Sequence, residues 1–199
     1  MITATINGEI KQFDDKKYKT FKEFYDENKL DGKVLSKLII NGKEVPVSKL
    51  DDIFSATFEG GELIEMSFED LIPFTLNLLS NLMEYFDKFE NALPAFAKNI
   101  SSGSSQSIEG LKNLQEGIKA LEVMKTNLFA LTGTNEGDFS ELQSEKEKLQ
   151  DTLGKMNQRI FDKNWTELSQ LIEYDLPEAI RYYKILFKKA ADILNQKKS

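Results

Sequence analysis

A chain of 199 residues that is 40% hydrophobic and 30% charged, with 4 prolines, has the composition of a folded protein of one or two domains. It contains no cysteine and no histidine, which excludes disulfides, thiolate nucleophiles, thiolate or imidazole metal sites and imidazole acid-base catalysis. A net charge of -7 argues against a general nucleic-acid binder, since phosphate contacts need clustered Lys and Arg.

The first third reads as short strands punctuated by glycine. Ile2, Ala4 and Ile6 alternate with Thr3 and Thr5, Asn7-Gly8 offers a tight hairpin turn, and EIKQF supplies the returning strand. This start lacks the basic region and long apolar core of a leader, and no apolar run approaches the ~20 residues that cross a bilayer. A cytoplasmic protein without membrane contact is expected. Thr20 and Glu23 have the spacing of a capping box, so a helix begins there with Phe21, Phe24 and Tyr25 on one face, and Asp31-Gly32 ends it. KLIINGKEVPV adds an apolar strand, a second Asn-Gly turn and an edge strand carrying Pro46, and ELIEM after Gly61 is the last strand.

The order strand-strand-helix-strand-strand-strand is that of the β-grasp fold. Within it, MITATINGEI, TFKEFYDENKLDG, KLIINGKEVP and GGELIEM together resemble the small sulfur carriers of thiamine and molybdopterin biosynthesis. The resemblance covers residues 1–67 and implies a ubiquitin-like module. Those carriers place a working diglycine at the extreme C-terminus, where it is adenylated and thiocarboxylated. Here Gly60-Gly61 precedes the last strand and the chain runs on to Ser199, so the pair is expected to be a turn and carrier chemistry is not implied.

From Ser67 the pattern changes. Ser67 and Asp70 have the spacing of a helix start signal, and Pro73 is tolerated in a first turn. Apolar residues then recur at steps of three and four in four stripes, over 71–100, 108–131, 139–160 and 165–194, with SSGSSQS and GTNEG as breaks. Pro94 is expected to bend or shorten the first helix, and Pro177 to kink or divide the last, with Asp175 as a cap. The expected architecture is α+β, a β-grasp module over 1–67 followed by an antiparallel four-helix bundle over 68–199.

Glu84, Asp87, Glu90, Glu109, Glu116 and Glu122 lie mostly off the apolar stripes and read as a solvated face, not a carboxylate-bridged metal centre. No catalytic, cofactor-binding or metal-binding residue is expected. Lys146 falls in phase with the third stripe. The last helix is basic, with Arg181, Lys184, Lys188, Lys189, Lys197 and Lys198 against Asp192 alone. These cations either complement the helix dipole or form a docking strip for an acidic partner protein or a second copy in a homodimer, with Tyr182 beside them as an interface aromatic.

The reading is a non-enzymatic cytoplasmic adaptor or regulator that works through protein contacts. The acidic helical part is also similar in character to secretion or flagellar export chaperones. A further alternative is an accessory of a sulfur-carrier pathway that engages an activating enzyme without carrying sulfur.

Overall fold

Alternation of Ile2, Ala4 and Ile6 with threonines gives β1 (Ile2–Ile6) one buried face, and the Asn7-Gly8 turn returns it into β2 (Glu9–Phe13) in the computed structural model, which describes residues 1–197. After α1 (Phe21–Asn28) come β3 (Lys33–Ile40), β4 (Lys43–Glu44), the single turn α2 (Leu50–Ile53) and β5 (Leu63–Asp70). The mixed sheet has the order β2-β1-β5-β3-β4, with β1 parallel to β5 and the other pairs antiparallel.

Both turn asparagines are tied to β5, because Asn7 Oδ1 accepts from the Phe68 amide at 2.6 Å and Asn41 Oδ1 accepts from the Leu63 amide at 2.9 Å. Thr20 caps α1 as its spacing predicted, accepting from the Glu23 amide, while Glu23 reaches back one residue further, to the Lys19 amide. The helix lays Phe21 and Phe24 on Ile2, Ala4, Leu38, Ile64 and Met66. Phe24 meets Phe13 and Tyr18 edge-on, with centroids 5.2 Å apart in each case. Each such buried side chain stabilises by ~1.5–3 kcal/mol.

Gly60 and Gly61 have φ of +97° and +90°, the left-handed region that side chains resist. They form the corner into β5. The Gly61 amide donates to the Met1 carbonyl at 2.9 Å, and the Glu62 carboxylate accepts from the Gly60 amide at 2.9 Å. Burial pushes the Glu62 carboxyl up, but amide hydrogen bonds within this corner outweigh it and hold the group below its ordinary value.

The expected helix start at Ser67 is not present, because Ser67 and Asp70 belong to β5. Their backbone is held in register with β3, Asp70 opposite Lys33, and those two side chains pair at 3.1 Å. A ladder partner overrides a local capping signal. The helix α3 (Leu71–Ile100) therefore begins at Leu71, and it runs six residues past Pro94. Two compact units result, Met1–Asn77 and Leu78–Ser199, so the division lies inside α3 and not after residue 67.

The remaining elements are α4 (Ser105–Thr132), α5 (Gln143–Phe161), α6 (Trp165–Gln170) and α7 (Leu176–Lys197). A 3-10 segment over Glu136–Leu142 precedes α5, and a π turn over Leu171–Asp175 joins α6 to α7. The four predicted stripes fall on α3, on α4, on 136–161 and on 165–197. SSGSSQS is a shorter break than expected, since Ser104 already caps α4 through the Ser107 amide.

Pro177 neither ends the last helical run nor divides it. The Leu176 amide donates to the Leu171 carbonyl five residues back, which widens the turn next to the proline ring. In the second unit α4 and α5 pack on α7, whose Leu176, Ile180, Tyr183, Phe187 and Leu194 are buried. Among the described residues no helix is long and apolar enough to cross a membrane.

Candidate functional site

Spacing along α3 puts Leu82, Phe86, Phe89, Leu93 and Phe96 on one side of the helix, and spacing along α4 does the same for Gly110, Leu114, Gly117 and Leu121. These sides bound an apolar groove of about 430 Å³, with Ile180 of α7 also in its lining. Phe86, Leu93 and Leu114 form its buried depth. Tyr85, 60% exposed, stacks on Phe89 at 6.3 Å and 17° and raises an aromatic ridge on the α3 wall.

The opposite wall is notched by two glycines set among Leu114, Ile118 and Leu121. Gly110 and Phe96 lie seven residues either side of Gly103 in the connecting turn, Gly117 and Phe89 fourteen either side. At the first level the seam is closed, since a Cβ on Gly110 would come within 2.6 Å of the Phe96 ring. At the second level it is open, and a Cβ on Gly117 would have no neighbour within 4 Å. Asn113 brings the one amide of the lining. The hydroxyls at the turn end are occupied locally, Ser107 donating to the Asn99 carbonyl at 2.6 Å and pairing with Ser104 at 2.8 Å.

The predicted basic strip is placed differently. Arg181 pairs with Glu178 at 3.0 Å, Lys184 with Asp87 at 2.9 Å and Glu90 at 3.1 Å, and Lys189 with Glu141 at 2.8 Å. Lys197 donates to the Leu131 and Thr132 carbonyls at 3.2 and 2.8 Å, closing the C-terminal end of α4. Lys188 is exposed and has no ion pair among the described residues, and Lys198 lies outside them. Most of this charge is thus spent within the unit. Burial alone would lower the Lys184 ammonium, but Asp87 and Glu90 outweigh it and hold the group above its ordinary value.

Tyr182 is not the surface aromatic that its phase suggested. It is 3% exposed, edge-on to Tyr183 at 5.3 Å, because α7 is covered along two flanks and not along one seam. Glu122, whose side chain is half exposed, stands at the rim of this packing. The Tyr183 hydroxyl donates to it, and Lys125 pairs with both Glu122 at 2.7 Å and Glu136 at 3.1 Å. Lys146 completes the set by pairing with Glu136 at 2.6 Å, which gives its place in the apolar stripe a structural purpose. Burial, reinforced by Glu122, pushes the Tyr183 phenol far above its ordinary value. Burial would lower the Lys125 ammonium, yet Glu122 and Glu136 hold it up. This network joins α4, the 3-10 segment, α5 and α7.

Sequence reasoning missed both the network and the groove. The signal for the groove was present in the mirrored spacing of two phenylalanines and two glycines about Gly103. Among the described residues no three acidic side chains gather as a metal site.

Neither the curated proteins nor the solved structures provide a match to the chain. A family model described as a domain of unknown function, DUF8042, matches residues 75–185, a span that takes in all of α4 and α5 and both walls of the groove. As that span is more than half of the sequence, the chain belongs to the DUF8042 family.

Proposed function

We propose that this protein is a non-enzymatic cytoplasmic adaptor or regulator, built of a β-grasp module and a four-helix bundle, whose bundle docks an apolar helical segment of a protein partner between α3 and α4. The parallel β1–β5 pair at the centre of the sheet supports the β-grasp reading of the first unit. The observation that carries the docking reading is the open trough itself, with Tyr85 and Phe89 facing Gly117. Sites for small molecules add several convergent polar groups to an apolar lining, and this lining has only the Asn113 amide and the hydroxyl of the exposed Tyr85. Helix-in-groove recognition needs only apolar anchors at helical spacing.

Gly117→Trp tests the reading, because a Cβ at that position has no neighbour within 4 Å and the indole beyond it occupies the groove. The variant should keep its helical circular dichroism, and should lose both binding of a fluorescent apolar probe and association with a partner co-purified from the native host. Probe and partner binding at wild-type affinity in a filled groove would overturn it.

A further inference from the structure

We infer that the occupant of the α3–α4 groove is a second copy of this chain, seated face to face about a two-fold axis parallel to the helices. The inference rests on the docking reading above and names its partner. An interface of this symmetry must be self-complementary, each surface element meeting a different element of the same patch on the other subunit. The groove has that property, since one wall carries the ridge of Tyr85 and Phe89 and the other carries the notch at Gly117. Phe89 and Gly117 stand at equal chain distance from Gly103, hence at the same height along the hairpin. Rotation about an axis parallel to the helices preserves height and exchanges the walls. Each ridge then enters the partner's notch.

Charge follows the same symmetry. Beside the ridge, the outward edge of α3 carries the exposed Lys88, and beside the notch the outward edge of α4 carries the exposed Glu116. The exchange of walls sets Lys88 against the partner's Glu116, twice per dimer. Among the described residues Glu116 has only a 4.0 Å contact with the exposed Lys112 of its own chain. From Leu82 to Phe96 the groove is ~21 Å long and two helices wide, so a dimer would bury ~800 Å² in total. That is below the ~1,000 Å² of a stable specific interface and implies a weak, concentration-dependent dimer.

Sedimentation equilibrium of the full chain over a concentration series provides the test. The expected wild-type mass rises from one chain to two, and Gly117→Trp raises the dimer dissociation constant by at least about tenfold at unchanged helical content. Lys88→Glu also weakens the dimer, and Lys88→Glu combined with Glu116→Lys restores it, which a purely structural effect of either change would not do. A wild-type protein that stays monomeric throughout, or a double reversal that fails to restore the dimer, overturns the second copy as occupant. If that monomer still loses a co-purified partner on Gly117→Trp, the docking reading stands with a different occupant. If Gly117→Trp changes neither mass nor partner binding, both readings fall.

Discussion

Along α7, Tyr183 and Phe187 have no exposed surface and meet large side chains on their neighbours, Phe86 of α3 among them, whereas along the outer side of α3 the exposed Tyr85 and half-buried Phe89 face a wall notched at Gly117. The same residue types form a core in one place and a trough in the other. What differs is the opposite wall. An apolar stripe closes only where its partner stripe has the volume to fill the space between the backbones.

Paired truncations separate the two regions most widely. Phe187→Ala should lower stability by ~3–5 kcal/mol, and Phe89→Ala by less than ~1.5 kcal/mol, since the second opens little new cavity. Chemical denaturation of both variants measures the difference. Equal losses would show that the outer seam is packed as tightly as the inner one.

The next effect is polar. Tyr183→Phe leaves Glu122 with Lys125 but removes its buried donor, for an expected loss of ~1–3 kcal/mol, while Tyr85→Phe on the open side should change stability by less than ~0.5 kcal/mol.

The glycines of α4 offer a contrast of sign. Gly117→Ala should stabilise by ~0.5–1 kcal/mol through helix propensity, because its Cβ enters empty space. At Gly110 the same change drives a Cβ to 2.6 Å from the Phe96 ring and should destabilise. Thermal unfolding of the two variants reads both signs, and a shared sign would contradict the picture of a seam closed at one level and open at the next.

The smallest effect concerns acid. Hydrogen bonds from Lys146 and Lys125 hold the Glu136 carboxyl below its ordinary value of 4.5. A carboxyl lowered by folding adds stability above its unfolded value and loses it as pH falls through the folded one. Glu136 is partly exposed, so solvent screening keeps the contribution under ~1 kcal/mol. Glu136→Gln should therefore cost little at neutral pH and leave a flatter decline of stability below about pH 4.5 in an acid titration of unfolding.

What could be read from the sequence was what neighbouring residues decide among themselves. The two Asn-Gly turns, the Thr20 cap and the glycine corner before β5 depend on dihedrals and hydrogen bonds within a few positions, and each was legible. The end of β5 was not, because Lys33, far away in the chain, holds Asp70 in the sheet. Periodicity located the helices but assigned each a single buried seam. It therefore left Tyr182 on the surface, although α7 is covered on two flanks. The groove escaped for a related reason, since whether a stripe is covered depends on side-chain volume in another helix.

The π turn before Pro177 can be understood as a phase correction. Leu168, Ile172, Leu176 and Ile180 recur at a constant step of four, and four residues of α-helix turn ~400°, so such a row creeps ~40° around the axis with each step. Three steps amount to ~120° of drift, and the one surplus residue of a π turn withdraws ~100° of it. All four side chains are buried as a result. Forcing the present length into regular α-helix would rotate everything from Trp165 to Ile172 by ~100° against α7 and swing Leu168 and Ile172 out of the core, whereas deleting the exposed Tyr174 would let a regular helix keep both faces inward. The irregular turn absorbs the one residue by which the chain exceeds a regular helix whose two halves face the same way.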